Sequence, residues 1–503
     1  MRSLFLLALL LCISAAGARA DVTLASPFQD HAVLQRDKPL PVWGRAAPGE
    51  KVTVEFLGQK VGTTTCADGR WIVYLEPVPA VAAPTTLTVT GQNTVTLQDI
   101  LVGEVWLASG QSNMEWSVER SNDAAAEIAA ANFPLIREFN ATNTVADQPA
   151  DTVAGDWQVC SPTTAGRLSA VAYYFARDLH RKLGVPVGIL NATWGGTPVE
   201  SWTDLVTLKA TTAWPAIDAR WQKAVAEHPE RVANYPAERA AWQEAAEKAK
   251  ATKTPITVPW PRSPAGPGTP YAISGLYNAM IAPLQPYALR GAIWYQGESN
   301  WQRADEYGEV FSAMIRAWRA QWNQGDFPFY FVQLANFIVK DDPSGRGWAQ
   351  LREAQTKALA LPNTGMAVTI DIGDANDIHP RNKQEVGRRL ALLAKAKIYD
   401  IPVDWSGPVF VGATREGAAL RVKFTRVDDS LTAGGKPLQA FEVAGPDRKF
   451  YPATARIERG TVVVSAPEVP EPAAVRYAWS NNPDANLFNG TGLPAEPFRS
   501  DDW

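Results

Sequence analysis

The chain of 503 residues is longer than a typical domain of about 100–200 residues, so its length predicts about three domains. Hydrophobic residues make up 46% of the chain and charged residues 20%, a globular balance that excludes both a disordered chain and a polytopic membrane protein. The net charge is −4 and no basic run stands out. Nucleic acid and anionic membrane surfaces are therefore not expected as partners.

The first twenty residues have the pattern of a cleaved export signal. Arg2 supplies a positive start, residues 4–16 form an apolar stretch, and Ala18-Arg19-Ala20 is a small-x-small cleavage site. The apolar stretch is shorter than the about 20 residues that a membrane span needs. We therefore expect residues 1–20 to be a signal peptide, with cleavage near Asp21 and a secreted or periplasmic product that has no membrane anchor.

Two β-rich regions are predicted at the ends of the mature chain. Residues 21–100 contain short alternating or β-branched segments separated by turns, which is typical of a small β-sandwich. Its clearest strands are expected at 51–56, 70–74 and 86–90. Residues 401–503 repeat this pattern, with clear strands at 419–424 and 460–465, and predict a second sandwich-like region.

Between these regions, residues 101–400 alternate apolar strands with helical segments, a pattern that predicts an α/β domain with a mostly parallel sheet. We expect strands at 100–108, 187–190, 288–295, 328–334 and 366–370. We expect helices at 169–183 and 382–398, because their apolar residues recur at helical spacing.

An insertion at about 205–270 interrupts the alternation. Residues 214–253 form a charged, alanine-rich helical run, and residues 255–270 are rich in proline and glycine. We interpret this segment as an inserted helical hairpin with an extended return.

Cysteine usage leaves one pairing open and predicts no metal site. Cys12 leaves with the signal peptide, and Cys66 and Cys160 remain in a compartment that permits a disulfide. The sequence does not give the distance between them. Two distant cysteines and four scattered histidines do not form the cluster of ligands that a metal ion needs, so we expect no metal or other cofactor.

Ser112 is a candidate nucleophile. It lies in Ser109-Gly-Gln-Ser-Asn113, directly after an apolar strand, and Gly110 allows a sharp turn there. In open α/β sheets, ligands bind at the carboxyl ends of the strands. The alternative is a serine-rich turn that caps a helix. A serine hydroxyl also needs a base before it becomes a nucleophile.

Among the four histidines, His379 is the candidate base. It follows the strand predicted at 366–370, which places it at the same sheet edge as Ser112, whereas the other three lie in regions that favour surface or packing roles. A base of this kind needs an acceptor that fixes its tautomer. We expect Asp377 to be this acceptor, with Asp374, Glu298 or a backbone carbonyl as alternatives.

Two further loops supply candidate groups for an oxyanion hole. The amide of Gly195 or Gly196 follows the strand at 187–190 and can act with the Ser112 amide. Side-chain amides could come from the loop after the strand at 288–295, or from beside the nucleophile. We take the following as candidate oxyanion or substrate-binding residues: Gly195, Gly196, Gln296, Glu298, Asn300 and Gln111.

Four blocks in this order carry a family resemblance: Gly110-Gln-Ser-Asn113, Trp194-Gly-Gly-Thr197, Gln296-Gly-Glu-Ser299 and Asp377-Ile-His-Pro380. Together they resemble the sialate O-acetylesterase family of SGNH-type hydrolases. The resemblance implies a three-layer α/β/α core, Ser112 as nucleophile, His379 as base, and removal of O-acetyl groups from a carbohydrate substrate without a metal. The chain has Asn376 where the wider pattern has Asp, and Gln-Gly-Glu where Gly-x-Asn is usual.

The sequence does not identify the acetylated sugar. Relatives of this kind also resemble deacetylases of plant cell-wall polysaccharides such as xyloglucan, xylan or pectin. Nineteen tryptophans include four beside the blocks that could stack on sugars, although core packing is the commoner use: Trp116, Trp194, Trp202 and Trp294. A sialate carboxylate would favour an arginine such as Arg381 or Arg137.

Two other function classes compete with the esterase. One is a carbohydrate-binding protein without catalysis, in which the β-sandwiches do the binding. The other is a glycosidase, which needs two carboxylates facing one bond, such as Glu298 and Asp377. The glycosidase would leave Ser112 without a purpose.

Overall fold

The first eight strands form the N-terminal β region and lead into the core. We describe residues 21–427 and 430–503 of a computed structural model, so the predicted signal peptide lies outside the described residues. The strands are β1 (Thr23–Leu24), β2 (Val33–Gln35), β3 (Leu40–Arg45), β4 (Lys51–Phe56), β5 (Gln59–Thr64), β6 (Arg70–Leu75), β7 (Val81–Thr90) and β8 (Thr94–Gly110).

The core alternates strands with helices as the sequence predicts. Its further strands are β9 (Ile136–Ala141), β10 (Gly155–Val159), β11 (Val187–Thr193), β12 (Gly291–Tyr295), β13 (Phe329–Val332) and β14 (Thr364–Ala367). The α-helices are α1 (Ser112–Glu115), α2 (Ala124–Ala129), α3 (Ala170–Leu183), α4 (Leu205–Lys209), α5 (Trp214–Thr252), α6 (Ala304–Trp322), α7 (Gly347–Thr356) and α8 (Lys383–Lys397).

The core strands form a mixed sheet in the order β10-β9-β11-β8-β12-β13-β14. Every neighbouring pair is parallel except β10 with β9. Because parallel strands point the same way, the loops after β8, β11, β12 and β14 all emerge at one edge. We call this edge, with those four loops, the carboxyl edge. Strand β8 lies between β11 and β12, where the chain switches from one side of the sheet to the other, which is the usual ligand position in such sheets.

Strand β8 also joins the N-terminal region to the core. Its first half pairs with β7 and β2, and its second half pairs with β11 and β12. The boundary predicted at residue 100 therefore lies within one continuous strand of 17 residues. Within the second half, every residue from Ile100 to Gly110 is buried, which explains the unbroken apolar run in the sequence.

Helix α3 follows the sequence signals closely. The Ser169 side chain caps it by accepting a hydrogen bond from the Ala172 amide at 3.3 Å, and Gly184 ends it in a left-handed conformation with φ of +69°. Phe175 of α3 packs edge-on against Trp106 of β8, with ring centroids 4.9 Å apart. The helix thereby covers the strand that leads to Ser112.

The run predicted as a helical hairpin is one long helix, which follows the short α4 at the start of the insertion. Helix α5 runs for 39 residues, and its buried residues are Ile217 and Ala249. No second helix follows it, because the return is rich in proline, which cannot donate a backbone hydrogen bond. The return predicted at 255–270 contains neither helix nor strand, and the His228 ring bonds the Ala265 carbonyl at 3.0 Å.

The C-terminal region contains two four-stranded antiparallel sheets, ordered β15-β16-β20-β19 and β18-β17-β21-β22. Their strands are β15 (Val409–Glu416), β16 (Ala419–Thr425), β17 (Phe441–Ala444), β18 (Phe450–Pro452), β19 (Thr454–Glu458), β20 (Thr461–Ser465), β21 (Ala474–Tyr477) and β22 (Phe498–Arg499). Phe410 of one sheet stacks on Phe498 of the other, with centroids 4.2 Å apart. The two sheets therefore share a core.

Two sequence questions are answered by the described part of the chain. Cys66 is exposed and Cys160 is buried, and both are free thiols rather than a disulfide. Within residues 21–427 and 430–503, no helix combines the length and the apolar character that crossing a bilayer requires.

Candidate active site

Ser112 lies at the sharp turn that ends β8. Gly110 has φ of +132°, and a Cβ atom there would lie 2.2 Å from the Tyr295 carbonyl oxygen, so only glycine fits. The Gln111 amide donates to the same carbonyl at 3.0 Å, and Ser112 then begins α1. The turn projects Ser112 from the carboxyl edge.

The predicted contact between Ser112 and His379 is present. His379 lies in the loop between β14 and α8, and its Nε2 atom is 2.8 Å from Ser112 Oγ. The two atoms are therefore within hydrogen-bond distance, which is close enough for proton transfer. The imidazole stacks on the Trp116 ring, with centroids 4.9 Å apart and planes 17° apart, which fixes its orientation.

Burial and neighbouring positive charges lower the pKa of His379 and favour its neutral form. Burial is the largest cause that lowers its pKa, and the positive charge of Lys383 adds to this effect. Asp377 acts in the opposite direction, while Arg120 lowers the pKa further from its position 3.7 Å above the Trp116 ring. A neutral imidazole is the form that can accept the serine proton.

Asp377 is close to His379 but does not bond its ring. Its Oδ1 atom lies 3.7 Å from Nδ1, beyond hydrogen-bond length, and accepts the His379 backbone N–H at 2.9 Å instead. The alternative Asp374 accepts the Asn376 amide at 2.8 Å, and the alternative Glu298 bonds Asn113. Among the candidate carboxylates, Asp377 is the one within ion-pair distance of the imidazole.

The Gly195–Gly196 turn lies directly against Ser112. A Cβ atom on Gly195 would lie 3.3 Å from Ser112 Cβ and 2.9 Å from a carboxylate oxygen of Glu115. Gly196 has φ of +76°, a conformation that favours glycine. The Gly195 amide hydrogen-bonds Glu115, whose pKa is raised mainly by burial.

Comparison with known proteins decides which chemistry this arrangement serves. A family model described as "Carbohydrate esterase, sialic acid-specific acetylesterase" matches residues 254–395. Sialate O-acetylesterase of Rattus norvegicus is 31% identical, over 96% of this chain and 95% of its own. The Homo sapiens sialate O-acetylesterase is 32% identical, over 94% of this chain and 91% of its own.

The chain belongs to the sialate O-acetylesterase family. A solved structure described as a novel carbohydrate acetylesterase from Xanthomonas citri is 39% identical, with a TM-score of 0.82, and the match covers 96% of this chain and 100% of the other. The protein is therefore a carboxylic ester hydrolase, rather than a glycosidase or a binding protein without catalysis.

In this acetylesterase, the predicted side-chain amides Gln296 and Asn300 bond other protein groups. Both groups accepting from Gln296 Nε2 are internal: the Thr197 carbonyl at 3.1 Å and Asn300 Oδ1 at 2.8 Å. Asn300 Nδ2 donates to Glu200 at 2.8 Å. These bonds tie two loops of the carboxyl edge together, and the expected role of Gln296 and Asn300 as oxyanion donors stays a prediction.

Gln111 has a similar bridging position. Its side-chain oxygen accepts the amides of Gly297 at 3.5 Å and Ser299 at 3.3 Å, and the residue is buried. This bond links the nucleophile turn to the loop after β12. A sequence motif does not show where an amide side chain points. The sequence alone therefore could not decide between this bridging role of Gln111 and substrate binding.

A buried network beneath Ser112 was missed by sequence reasoning. Asn113 donates to Glu298 and to the Ile378 carbonyl, the latter at 3.0 Å, and accepts from Lys383. Burial lowers the pKa of Lys383 to about 7 and raises the pKa of Glu298. The network connects the nucleophile turn with the loop of His379. Asn113 and Glu298 belong to the motif blocks, but their burial depends on strands far away in sequence.

The expected sugar-stacking tryptophans are mostly core residues. Trp202 and Trp294 are fully buried, and Trp116 packs on His379. The guess of Arg137 as a carboxylate-binding residue is also wrong, because its guanidinium is buried against Asp99. Trp194 is half-buried, next to Gly195, and stays a candidate for contact with the sugar.

Proposed function

We propose that this protein is an O-acetylesterase of sugars in which Ser112 is the nucleophile and His379 the general base. The observation that carries the proposal is the 2.8 Å contact between His379 Nε2 and Ser112 Oγ at the carboxyl edge. The family relationship supports the acetyl ester as the bond that is cut.

The reaction follows from the contacts. Ser112 Oγ attacks the acetyl carbonyl carbon while His379 Nε2 takes the hydroxyl proton, and the same proton then passes to the departing sugar oxygen. Water attacks the resulting acetyl ester on Ser112, again with His379 as base, and acetate leaves. Asp377 stabilises the imidazolium by its charge. The backbone amides of Ser112 and Gly196 are the proposed oxyanion donors, because the Gly195 amide is bonded to Glu115.

We also propose that the α/β domain has a three-layer α/β/α arrangement. Trp294 pairs with Ser109 in neighbouring strands, and Ser109 is three residues after Trp106, so the two tryptophans face opposite sides of the sheet. Phe175 of α3 packs on Trp106, and Phe311 of α6 stacks on Trp294. These contacts support one helix layer on each face.

The test of the proposal is the hydrolysis of 4-nitrophenyl acetate by the Ser112→Ala variant. We expect kcat to fall by roughly 10³–10⁶, by analogy with knockouts of other serine triads. Turnover at the wild-type rate would contradict the assignment. Acetate release from acetylated sialic acids, xylan, pectin and xyloglucan then identifies the sugar. A response to plant glycans alone would favour the cell-wall polysaccharide alternative.

Export is part of the same proposal and rests on the sequence of residues 1–20. We expect the protein to be secreted or periplasmic. Sequencing the N-terminus of the protein purified from its natural source should give a chain that starts near Asp21. A mature chain that still begins at Met1 would contradict export by cleavage.

A further inference from the structure

A cleft of about 580 Å³ opens beside the nucleophile and continues along the insertion. At its near end it is lined by residues that neighbour the active site: Gly196, Glu298, Ser299 and Ile378. Its other end is lined by residues of α5 and of the return at 253–270. We call α5 together with this return the inserted wall. The volume of the cleft lies within the range of sites that hold ligands larger than an acetyl group.

The inserted wall is held in a fixed position relative to Ser112. A Cβ atom on Gly196 would lie 3.7 Å from the hydroxyl of Tyr271, directly after the return. Within the wall, the Tyr235 hydroxyl bonds Ser263 at 3.1 Å. Arg220 of α5 makes a two-pronged ion pair with Glu306 at the start of α6. The ion pair ties α5 to the core, and the Tyr235–Ser263 bond ties the return to α5.

The wall presents an exposed aromatic side chain to the cleft. Trp260 is 62% exposed, although tryptophan side chains are on average highly buried. The Trp260 ring packs edge-to-face against the Trp242 ring, with ring centroids 4.4 Å apart and ring planes 78° apart. This contact fixes the position of the Trp260 indole.

Hydrogen-bond donors line the same cleft as Trp260. Arg231 and Arg262 line the cleft, and within the described ranges neither guanidinium lies within 4 Å of a carboxylate. Trp301 lies across the cleft and is partly buried. Aromatic faces with a few polar donors suit sugar rings, which have apolar faces and hydroxyl edges.

We propose that the inserted wall binds the sugar residues next to the acetylated one, so that the substrate is an oligosaccharide chain and Trp260 determines this specificity. The inference rests on the proposed function, because it uses Ser112 as the point where the acetyl group sits. The acetylated ring occupies the near end at Gly196, and the chain then runs along α5 to stack on Trp260.

The test compares Trp260→Ala with wild type on three acetyl esters: 4-nitrophenyl acetate, an acetylated xyloglucan oligosaccharide and an O-acetylated sialyl trisaccharide. We expect the ratio of kcat/KM for at least one oligosaccharide to that for 4-nitrophenyl acetate to fall about tenfold, mainly through KM, as the loss of one stacking contact implies. Trp260→Phe should recover most of the ratio. Unchanged ratios for both oligosaccharides would overturn the inference.

Tyr74→Ala is the matched control. Tyr74 is also an exposed aromatic residue, 58% exposed, but it lies on β6 and does not line this cleft. It should leave all three activities unchanged, and an equal fall in its ratio would contradict a role specific to Trp260.

The Ser112→Ala enzyme separates this inference from the proposed function. If Ser112→Ala abolishes turnover while Trp260→Ala leaves the ratios unchanged, only the inference about the wall fails. If Ser112→Ala keeps wild-type turnover, the proposed function fails first. Calorimetric binding of the same two oligosaccharides to Ser112→Ala, with and without Trp260→Ala, measures the contact without catalysis. We expect about tenfold weaker binding for the double variant, and equal binding would also overturn the inference.

Discussion

The carboxyl edge and the inserted wall form two sides of one cleft but are built in opposite ways. At the edge, the side chains are buried and bond one another, as in the network of Asn113, Glu298 and Lys383. In the 39-residue helix of the wall, Ile217 and Ala249 are the buried residues. Chemistry that needs atoms held within a few tenths of an ångström is therefore placed on the rigid side. The side that we propose to contact the sugar chain is mostly exposed.

The largest effect expected at the edge comes from His379→Ala. Without the imidazole, Ser112 has no group to take its proton, so kcat on 4-nitrophenyl acetate should fall by roughly 10³–10⁶. The protein should keep its near-UV circular dichroism, because the side chain is partly exposed in a loop. A loss smaller than about tenfold would assign the base to another group.

A smaller loss is expected for Gly195→Ala. The new methyl group would lie 3.3 Å from Ser112 Cβ and 2.9 Å from Glu115, so the nucleophile has to move. We expect kcat/KM to fall by about 10², the scale of a misplacement of this kind. Gly412→Ala is the matched control, since no atom lies within 4 Å of its Cβ position. Equal activities for the two variants would argue against a tight turn at Ser112.

The difference in burial also predicts different costs in stability. Lys383→Met removes the buried donor to Asn113 Oδ1 and the positive charge that lowers the pKa of Glu298, and should lower the free energy of unfolding by about 1–3 kcal/mol. Adding Glu298→Gln should recover part of this loss. Val232→Ser on α5, where the side chain is 49% exposed, should change it by less than about 0.5 kcal/mol. Urea denaturation measures the free energy of unfolding of all three variants. Similar losses for Lys383→Met and Val232→Ser would contradict the predicted difference between the carboxyl edge and the inserted wall.

The smallest expected effects are shifts in the pH profile. The neutral form of His379 is the active base, so the acid limb of kcat/KM follows its pKa. Arg120→Gln removes a positive charge that lowers this pKa, and the limb should move to higher pH. Asp377→Asn removes the charge that raises the pKa, and the limb should move to lower pH. Arg120→Lys keeps the charge and serves as the control. Shifts in the same direction would contradict the assignment of the base.

The sequence predicted the elements that carry strong local signals. Strands β8 and β12 and helix α3 overlap the segments predicted from apolar spacing at 100–108, 288–295 and 169–183. The meeting of Ser112 with His379 followed from the rule that parallel strands share one edge.

Other features depend on contacts that no local pattern contains. The exposed helix α5 has few buried positions, so its sequence does not distinguish one long helix from a hairpin. The directions of the Gln296 and Asn300 amides follow from acceptors on another loop, Thr197 and Glu200. The burial of Lys383 follows from packing between α8 and the nucleophile turn. These outcomes are set by the tertiary structure rather than by motif or composition.

The most direct test of the central claim is the reaction of the enzyme with a fluorophosphonate, followed by mass spectrometry of its peptides. The account predicts one covalent adduct on Ser112 in the wild-type protein, formed in step with loss of esterase activity, and no comparable labelling in His379→Ala. Full loss of activity with the adduct on another residue, or rapid labelling of Ser112 without His379, would contradict it.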